Sequence, residues 1–387
     1  MTNAPVYENA LIEQAVNPTF SNRPVHPGMP PLDLSGKATS FFEFWPTQLV
    51  YLPVVVQWLL LAARYRSVNL PLIANPKIPL GGMVGEAKSD VFKLAKGEAK
   101  PFIAPAVSSI IDKEIATSEQ AAQIVDMLAD QGMPFPLIAK PDIGCRGVGV
   151  RIVRNQQQLA DYIEGFPNQA SLILQELVPY EAEAGIFYIR YPGEEKGQIF
   201  SITLKYAPYV FGNGTDNLRT LIESDPRAGK IAHLYLTRHQ QHLDKILPKG
   251  QPFRLAFAGS HSRGSIFRDG KQLITPELTT KLDEITKDID EFYYGRLDVR
   301  FKDAELLKQG RDFKIVEING ASSEATHIWD RSASLKDVYK ALFYQYKTLF
   351  KIGAINRQRG FKTPSLKALW QAYKKEKMLV ANYPATE

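Results

Sequence analysis

Two stretches late in the chain restrict its fold more than anything else in it. Gly295-Arg296-Leu297-Asp298-Val299-Arg300 and Ile315-Val316-Glu317-Ile318-Asn319-Gly320 set a charged or amide side chain at alternate positions of otherwise apolar runs. Successive side chains of a strand point to opposite faces, so Arg296, Asp298 and Arg300 share one face, and so do Glu317 and Asn319. If the two strands pair, Asp298, Glu317 and Asn319 converge as three oxygen donors suited to a hard dication such as Mg²⁺. The alternative is that they are solvent-facing positions of half-buried strands.

A second signal lies upstream. Leu137-Ile138-Ala139-Lys140 reads as a strand ending in a lysine, and Gly144-Cys145-Arg146-Gly147-Val148-Gly149 as a glycine turn before another strand. A lysine on a rigid strand offers a point charge to phosphate oxygens. Glycines let backbone N–H groups approach a polyphosphate without side-chain clash. An ordinary hairpin with a surface lysine has the same local pattern. The turn lacks the Gly-Lys-Ser/Thr ending of a P-loop and precedes no helix, which excludes that loop and a dinucleotide-binding fingerprint.

Around these signals strands and helices alternate. Strands are expected at 137–140, 148–153, 172–176, 186–190, 199–206, 254–258, 295–301 and 313–318, and helices at 118–130 (Ser118 as N-cap), 156–163, 217–223, 228–245, 276–292 and 335–350. Several adjacent strands are joined by short turns, which points to an α+β fold rather than a doubly wound sheet. The 387 residues allow two or three domains: an N-terminal region over 1–100, a core over 101–352 and a basic amphipathic tail over 353–387. Residues 1–40 read as an irregular lead-in and 68–90 as loop and turn. The single cysteine, Cys145, excludes a disulfide framework and fits a reducing compartment. A net charge of +6 suits anionic partners without arguing for nucleic acid. The N-terminus carries no signal-peptide pattern.

Thr47–Tyr65 is nearly all apolar but holds Pro53, Gln48 and Gln57. It is borderline for a bilayer span of about 20 apolar residues. A buried helix is expected, with a membrane-embedded or interfacial helix as the alternative. The tail from Lys351 to Lys377 is expected to pack on the body, with anionic lipid as its alternative. His239-x-x-His242 reads as a surface helix with no third metal ligand.

Taken in order, the lysine, the glycine turn, the Asp and the Glu-x-Asn resemble the ATP-grasp superfamily over roughly residues 100–335. The resemblance implies two α+β subdomains clasping ATP and two Mg²⁺ ions, with a reduced or atypical helical N-terminal region. It makes Lys140 the contact to the α/β-phosphates and Gly144, Gly147 and Gly149 the lid over them. It makes Gln175-Glu176-Leu177-Val178 the adenine hinge, Glu183 the ribose acid and Lys205 a second phosphate-facing lysine, with Lys93 as an earlier one. Asp298, Glu317 and Asn319 become the metal ligands. Arg296 resembles the oxyanion-stabilising arginine of D-alanine–D-alanine-ligase-like members. Val210–Gly250 resembles the insert of cyanophycin synthetases, after which His261 and Arg263 fall on the substrate side; a polar turn is the equal alternative for both.

The segment after Asn319 departs from that pattern. A Pro-Gly pair is replaced by Gly320-Ala321-Ser322-Ser323-Glu324-Ala325-Thr326-His327-Ile328-Trp329-Asp330, which does not support D-alanine as acceptor. Glu324, with His327 and Asp330, is expected to read an amine or polar head group, a helix cap being the alternative for Glu324. The implied activity is a cytoplasmic ATP-dependent ligase that joins a small-molecule carboxylate to an amine through an acyl phosphate. A homodimer and contact with the inner face of a membrane, through 47–65 or the basic tail, belong to the same expectation. An ATP-binding scaffold or sensor at a membrane and an ATP-grasp phosphotransferase are the other classes.

Overall fold

The computed structural model describes residues 25–35, 37–43 and 45–386, so most of the expected irregular lead-in lies outside the described residues. Helices α1 (Thr47–Tyr65) and α2 (Lys88–Lys93) come first. Strand β1 (Ala106–Ile110), helix α3 (Thr117–Asp130), strands β2 (Leu137–Pro141) and β3 (Arg151–Val153), helix α4 (Gln156–Glu164) and strand β4 (Ser171–Glu176) build the first unit. Its sheet is antiparallel throughout, in the order β1-β4-β2-β3. The apolar faces of α3 and α4, with Ile124, Leu128, Leu159 and Ile163, pack on Leu137, Ala139, Leu172 and Leu174.

The second unit is a five-stranded antiparallel sheet, β11-β10-β5-β6-β9, from β5 (Ala182–Ile189), β6 (Gln198–Tyr206), β9 (Ile266–Asp269), β10 (Tyr294–Phe301) and β11 (Phe313–Asn319). Helix α7 (Pro276–Lys287) covers it with Leu278, Leu282 and Ile285, joined by Leu307 of the short α8 (Ala304–Lys308). Strands β7 (Tyr209–Phe211) and β8 (Pro252–Arg254) and helices α5 (Leu218–Ser224) and α6 (Ala232–Arg238) form an insert with its own core of Leu218, Ile222, Tyr235, Leu247 and Phe253. Two long helices follow, α9 (Leu335–Gln358) and α10 (Leu366–Ala381). The α+β class and the short antiparallel connections are as expected.

Several boundaries moved, each for a physical reason. Helix α3 starts at Thr117 after Ala116, so Ser118 is not its N-cap. The strand expected from Val148 begins only at Arg151, because Gly147 and Gly149 hold positive φ and keep the chain turning. The strand expected at 254–258 is instead 252–254, where the Arg254 guanidinium donates to the carbonyls of Ala256 and Phe257 and curls the chain. The helix expected over 228–245 breaks at His239, whose ring meets the Leu255 carbonyl at 3.0 Å. Helix α7 stops at Lys287, five residues before the expected Phe292, and Asp288 turns its carboxylate to the Glu98 N–H. Helix α9 runs to Gln358 with Ile352 and Asn356 buried, so the expected domain boundary at 352 falls inside it. Strands β1, β7 and β9 had no counterpart in the sequence reading.

Two expectations about packing were half right. Helix α1 buries Val50 and packs Val54 against α9, but Leu49, Leu52, Leu59 and Leu60 are exposed, so it is not a core helix. Helix α10 docks through Leu379 and the adjoining Tyr383 while Trp370 and Tyr373 stay exposed.

Candidate nucleotide and metal site

The expected strand pair forms. In the β10–β11 ladder Asp298 lies opposite Glu317 and Arg296 opposite Asn319. The register then shifts, so that Val299 pairs with Ile315 and Val316 is skipped. A bulged residue loses its place in the ladder, and here its carbonyl finds another partner: Lys140 Nζ, from the other sheet, donates to Val316 O at 3.1 Å and to Gln175 Oε1 at 2.7 Å. Lys140 and the acidic trio therefore face each other across one cleft between the two sheets.

Asp298 is the node of the cleft. Arg296 Nε donates to Asp298 Oδ1 at 2.8 Å, Lys205 Nζ lies 3.0 Å from the same oxygen, and Asn319 Nδ2 donates to Oδ2 at 3.3 Å. Burial would raise the Asp298 carboxyl, but the Arg296 and Lys205 charges hold it well below the ordinary aspartate range. Burial likewise opposes the charge on Lys205, and the Asp298 and Glu183 carboxylates overcome it. Glu183 completes the cluster, 3.0 Å from Lys205 and 3.8 Å from Arg300. Glu183 leaves no room for a Cβ at Gly259, which would come 2.1 Å from its Oε1.

The glycine turn closes from the other side. The Lys88 ammonium, at the start of α2, donates to Gly144 O at 2.7 Å and lies 3.8 Å from Glu317. It thus ties the turn to the acidic trio. Lys88, not Lys93, is the early lysine of the cleft, since Lys93 is exposed and pairs with Asp90. The signal for Lys88 was its place just after Gly81-Gly82-Met83-Val84-Gly85. Tyr162 donates to Gly149 O, Tyr383 to Ile143 O and Thr386 to Gly147 O, which fastens the turn from α4 and from the C-terminal segment. Cys145 is exposed, and partial burial together with the Glu376 carboxylate pushes its thiol up, the opposite of an activated thiolate.

The expected adenine hinge ends β4. Leu177 is buried in an apolar cluster with Ile152, Ile138 and Phe257, while Glu176 is half-buried. Arg254 and Arg300 lie 5.2 and 4.9 Å from the Phe257 ring centre. Glu183, Lys205, Arg254 and His26 line a cavity of about 20 Å³, room for a water molecule rather than a ribose.

The substrate-side expectations divide. His261 stacks on Trp329 at 5.6 Å and bonds Glu43 at 2.7 Å, and the Trp329 indole donates to Glu324 Oε2 at 2.7 Å. His261 and Glu324 thus share one wall through Trp329. Glu324 caps no helix; its other oxygen, Oε1, is buried without a partner, and burial pushes its carboxyl up to about 7. Its backbone carbonyl accepts from Arg296. Arg263 lies in the short turn His261–Arg263, near enough to Arg238 of the insert for its charge to help lower that guanidinium, after burial. Asp330 accepts from the N–H groups of Asp269 and Ser332. His239 and His242 sit edge-on to Phe253, and burial pushes His239 down to about 4.

No group of three His, Cys, Asp or Glu side chains able to hold a metal occurs among the described residues. The trio relies on the amide of Asn319 and on an Asp298 already neutralised by two cations. As an all-oxygen set it fits a hard dication that displaces part of that pairing.

The site rests on a close backbone approach. Ala321 and Ser322 donate to the carbonyls of Gly81 and Gly82, and a Cβ on Gly320 would come 2.5 Å from Gly81 O. The loop at 68–90 is therefore a clamp on the end of β11.

No family model matches the chain, and no curated protein matches it. Solved structures do. A bifunctional glutathione synthetase from Pasteurella multocida matches at 17% identity and a TM-score of 0.35, over 67% of this chain and 36% of that one. The chain thus spans little more than a third of that enzyme. D-cycloserine synthetase matches at 11% and 0.36, over 68% of this chain and 69% of that one. D-alanine–D-alanine ligase from Bacillus anthracis complexed with ATP matches at 13% and 0.39, over 71% and 68%.

Proposed function

We propose that the chain is an ATP-grasp ligase that activates a carboxylate with ATP and couples it to an amine. What supports this is one contact across the cleft, Lys140 to the bulged Val316 carbonyl, which sets a phosphate-seeking lysine against Asp298, Glu317 and Asn319. In this reading Lys140, Lys88 and Lys205 draw in the triphosphate, Gly144, Gly147 and Gly149 close over it, Leu177 and Val178 seat the base, and Glu183 takes the ribose hydroxyls. Asp298, Glu317 and Asn319 would hold two Mg²⁺ ions, whose charge would neutralise the transferred phosphate. The carboxylate oxygen attacks the γ-phosphorus and the bond to ADP breaks. The amine nitrogen then attacks the acyl carbon, phosphate leaves, and Arg296 supports the oxyanion between those steps. Glu324, buried beside Arg296 with one oxygen unpartnered, takes the proton of the acceptor ammonium.

The test is ADP release from Mg-ATP across a panel of acids with amino acids, small peptides and aminolipids, read by product mass. A ligated product supports the reading. A stable phosphorylated acid would make the chain a phosphotransferase, and ATP binding with no ADP formed across the panel would make it a scaffold.

Two pH effects follow. Burial pushes Lys140 down to about 8, against the attraction of Glu317. A phosphate favours the ammonium form, so ATP affinity should weaken as pH rises above about 8, by up to tenfold per unit. Titration calorimetry should show this slope in the wild type and not in Lys140→Met. The sign for the free protein is opposite: its stability should rise between pH 8 and 10.5, where only the unfolded chain still holds the proton. For Glu324, turnover at saturating ATP should rise with pH through about 7 as the carboxylate forms. Glu324→Gln should lower turnover at least about tenfold and remove that limb from the profile.

A further inference from the structure

Helix α1 has two faces. On one, Val50 (1% exposed) and Val54 (3%) are buried, Val54 packs with Val338 and Leu342 of α9, and Trp58, Leu61 and Tyr65 pack on Phe350. On the other, Leu49, Leu52, Val56, Leu59 and Leu60 form a stripe that is 51–67% exposed. The helix sequence carries no charge before Arg64. Six large aliphatic side chains open to solvent on one helix, counting Val55, exceed what scattered surface apolar residues explain.

The ends of the stripe differ in chemistry. At the N-terminal end Phe41 and Trp45 are exposed and meet edge-to-face at 5.0 Å. At the C-terminal end Arg64 and Arg66 are exposed. Arg357 donates to the Tyr65 carbonyl and Asn69 to the Pro364 carbonyl, which brings the exposed Lys362 and Lys367 to the same end. An aliphatic stripe bounded by aromatic rings and a basic cluster has the amphipathic character of a helix lying in a bilayer interface.

We propose that α1 seats this chain on the surface of an anionic phospholipid bilayer, the stripe entering the acyl boundary and the basic end meeting lipid phosphates. The helix lies flat rather than spanning, because its packed face is held along α9. A second copy is the poorer occupant: its matching stripe offers aliphatic and aromatic surface but no acid for Arg64 and Arg66, since Glu43, beside Trp45, is buried against Arg227 and His261. The inference stands on α1 alone and holds whether or not the chain is a ligase.

Vesicle flotation of the full chain tests it, with phosphatidylcholine alone and with phosphatidylcholine mixed with phosphatidylglycerol. The chain should float with the anionic vesicles, and less at high salt. Leu52→Glu with Leu59→Glu should reduce binding at least about tenfold at an unchanged melting temperature, since both side chains are exposed. Arg64→Gln with Arg66→Gln should weaken binding to the anionic vesicles alone, and serves if the first variant fails to fold. Absence of flotation on anionic vesicles at low salt overturns the proposal. So does a wild-type dimer, by light scattering, that the leucine variant renders monomeric while vesicles compete for neither.

Discussion

Asp298→Asn should lower turnover by about a thousandfold or more and cost about 3 kcal/mol of stability at neutral pH. The first effect follows from removing the acid that pairs with Glu317 and Asn319 in the cleft. The second follows from leaving two buried cations, Arg296 and Lys205, without the charge that both contact. The sign with pH is fixed by the direction of the shift. The folded-state carboxyl is held below its ordinary value of 3.8, so its contribution is present above that value and is lost as pH falls through the lower folded one. The two effects can be separated. Adding Lys205→Met to Asp298→Asn removes one stranded cation and should restore part of the melting temperature without restoring turnover. If Asp298→Asn alone kept turnover within tenfold of the wild type, the acidic trio would not be the reacting centre.

Gly320→Val should cost roughly 2–4 kcal/mol, the range of overpacking against an unyielding neighbour. Its new side chain would meet backbone of the facing Pro79–Gly82 turn of the clamp, 2.5 Å from Gly81 O and 2.8 Å from Gly82 Cα, and neither can rotate away. The strain falls next to Asn319, so weaker Mg²⁺ dependence should accompany the loss of stability. Gly165→Ala is the comparison: its φ is −84° and its nearest neighbours lie at 3.7 Å or beyond, so urea unfolding should change by less than about 0.5 kcal/mol.

The cleft was legible in the sequence because alternation within a strand is a strong local signal. Asp298, Glu317 and Asn319 needed only two strands and their pairing to come together. Lys140 was legible as a lysine ending a strand, though not the carbonyl it reaches, since a bulge leaves no mark in composition. Lys88 was missed because its role comes from the fold: α2 is anchored where Asp142 accepts from Ser89, and that anchor carries Lys88 to Gly144. The two faces of α1 were illegible for a related reason. Both faces are apolar, so the period that would separate them is absent, and only the position of α9 decides which is covered. The fold adds what the chain order could not show: Asp330 accepts from the Asp269 N–H of a distant strand, and Arg263 sits in the short turn that was the other reading of it.

The bulge at Val316 also makes Lys140 a latch. Its ammonium is one of the polar ties between the small sheet and the edge strand of the large one, beside the bond from the Ala104 N–H to the Ile315 carbonyl. An anion entering the cleft would compete for that same ammonium, so filling the cleft would also loosen that tie. A neutral residue at position 140 would remove it while leaving the Ala104–Ile315 bond and the Lys88 bridge in place.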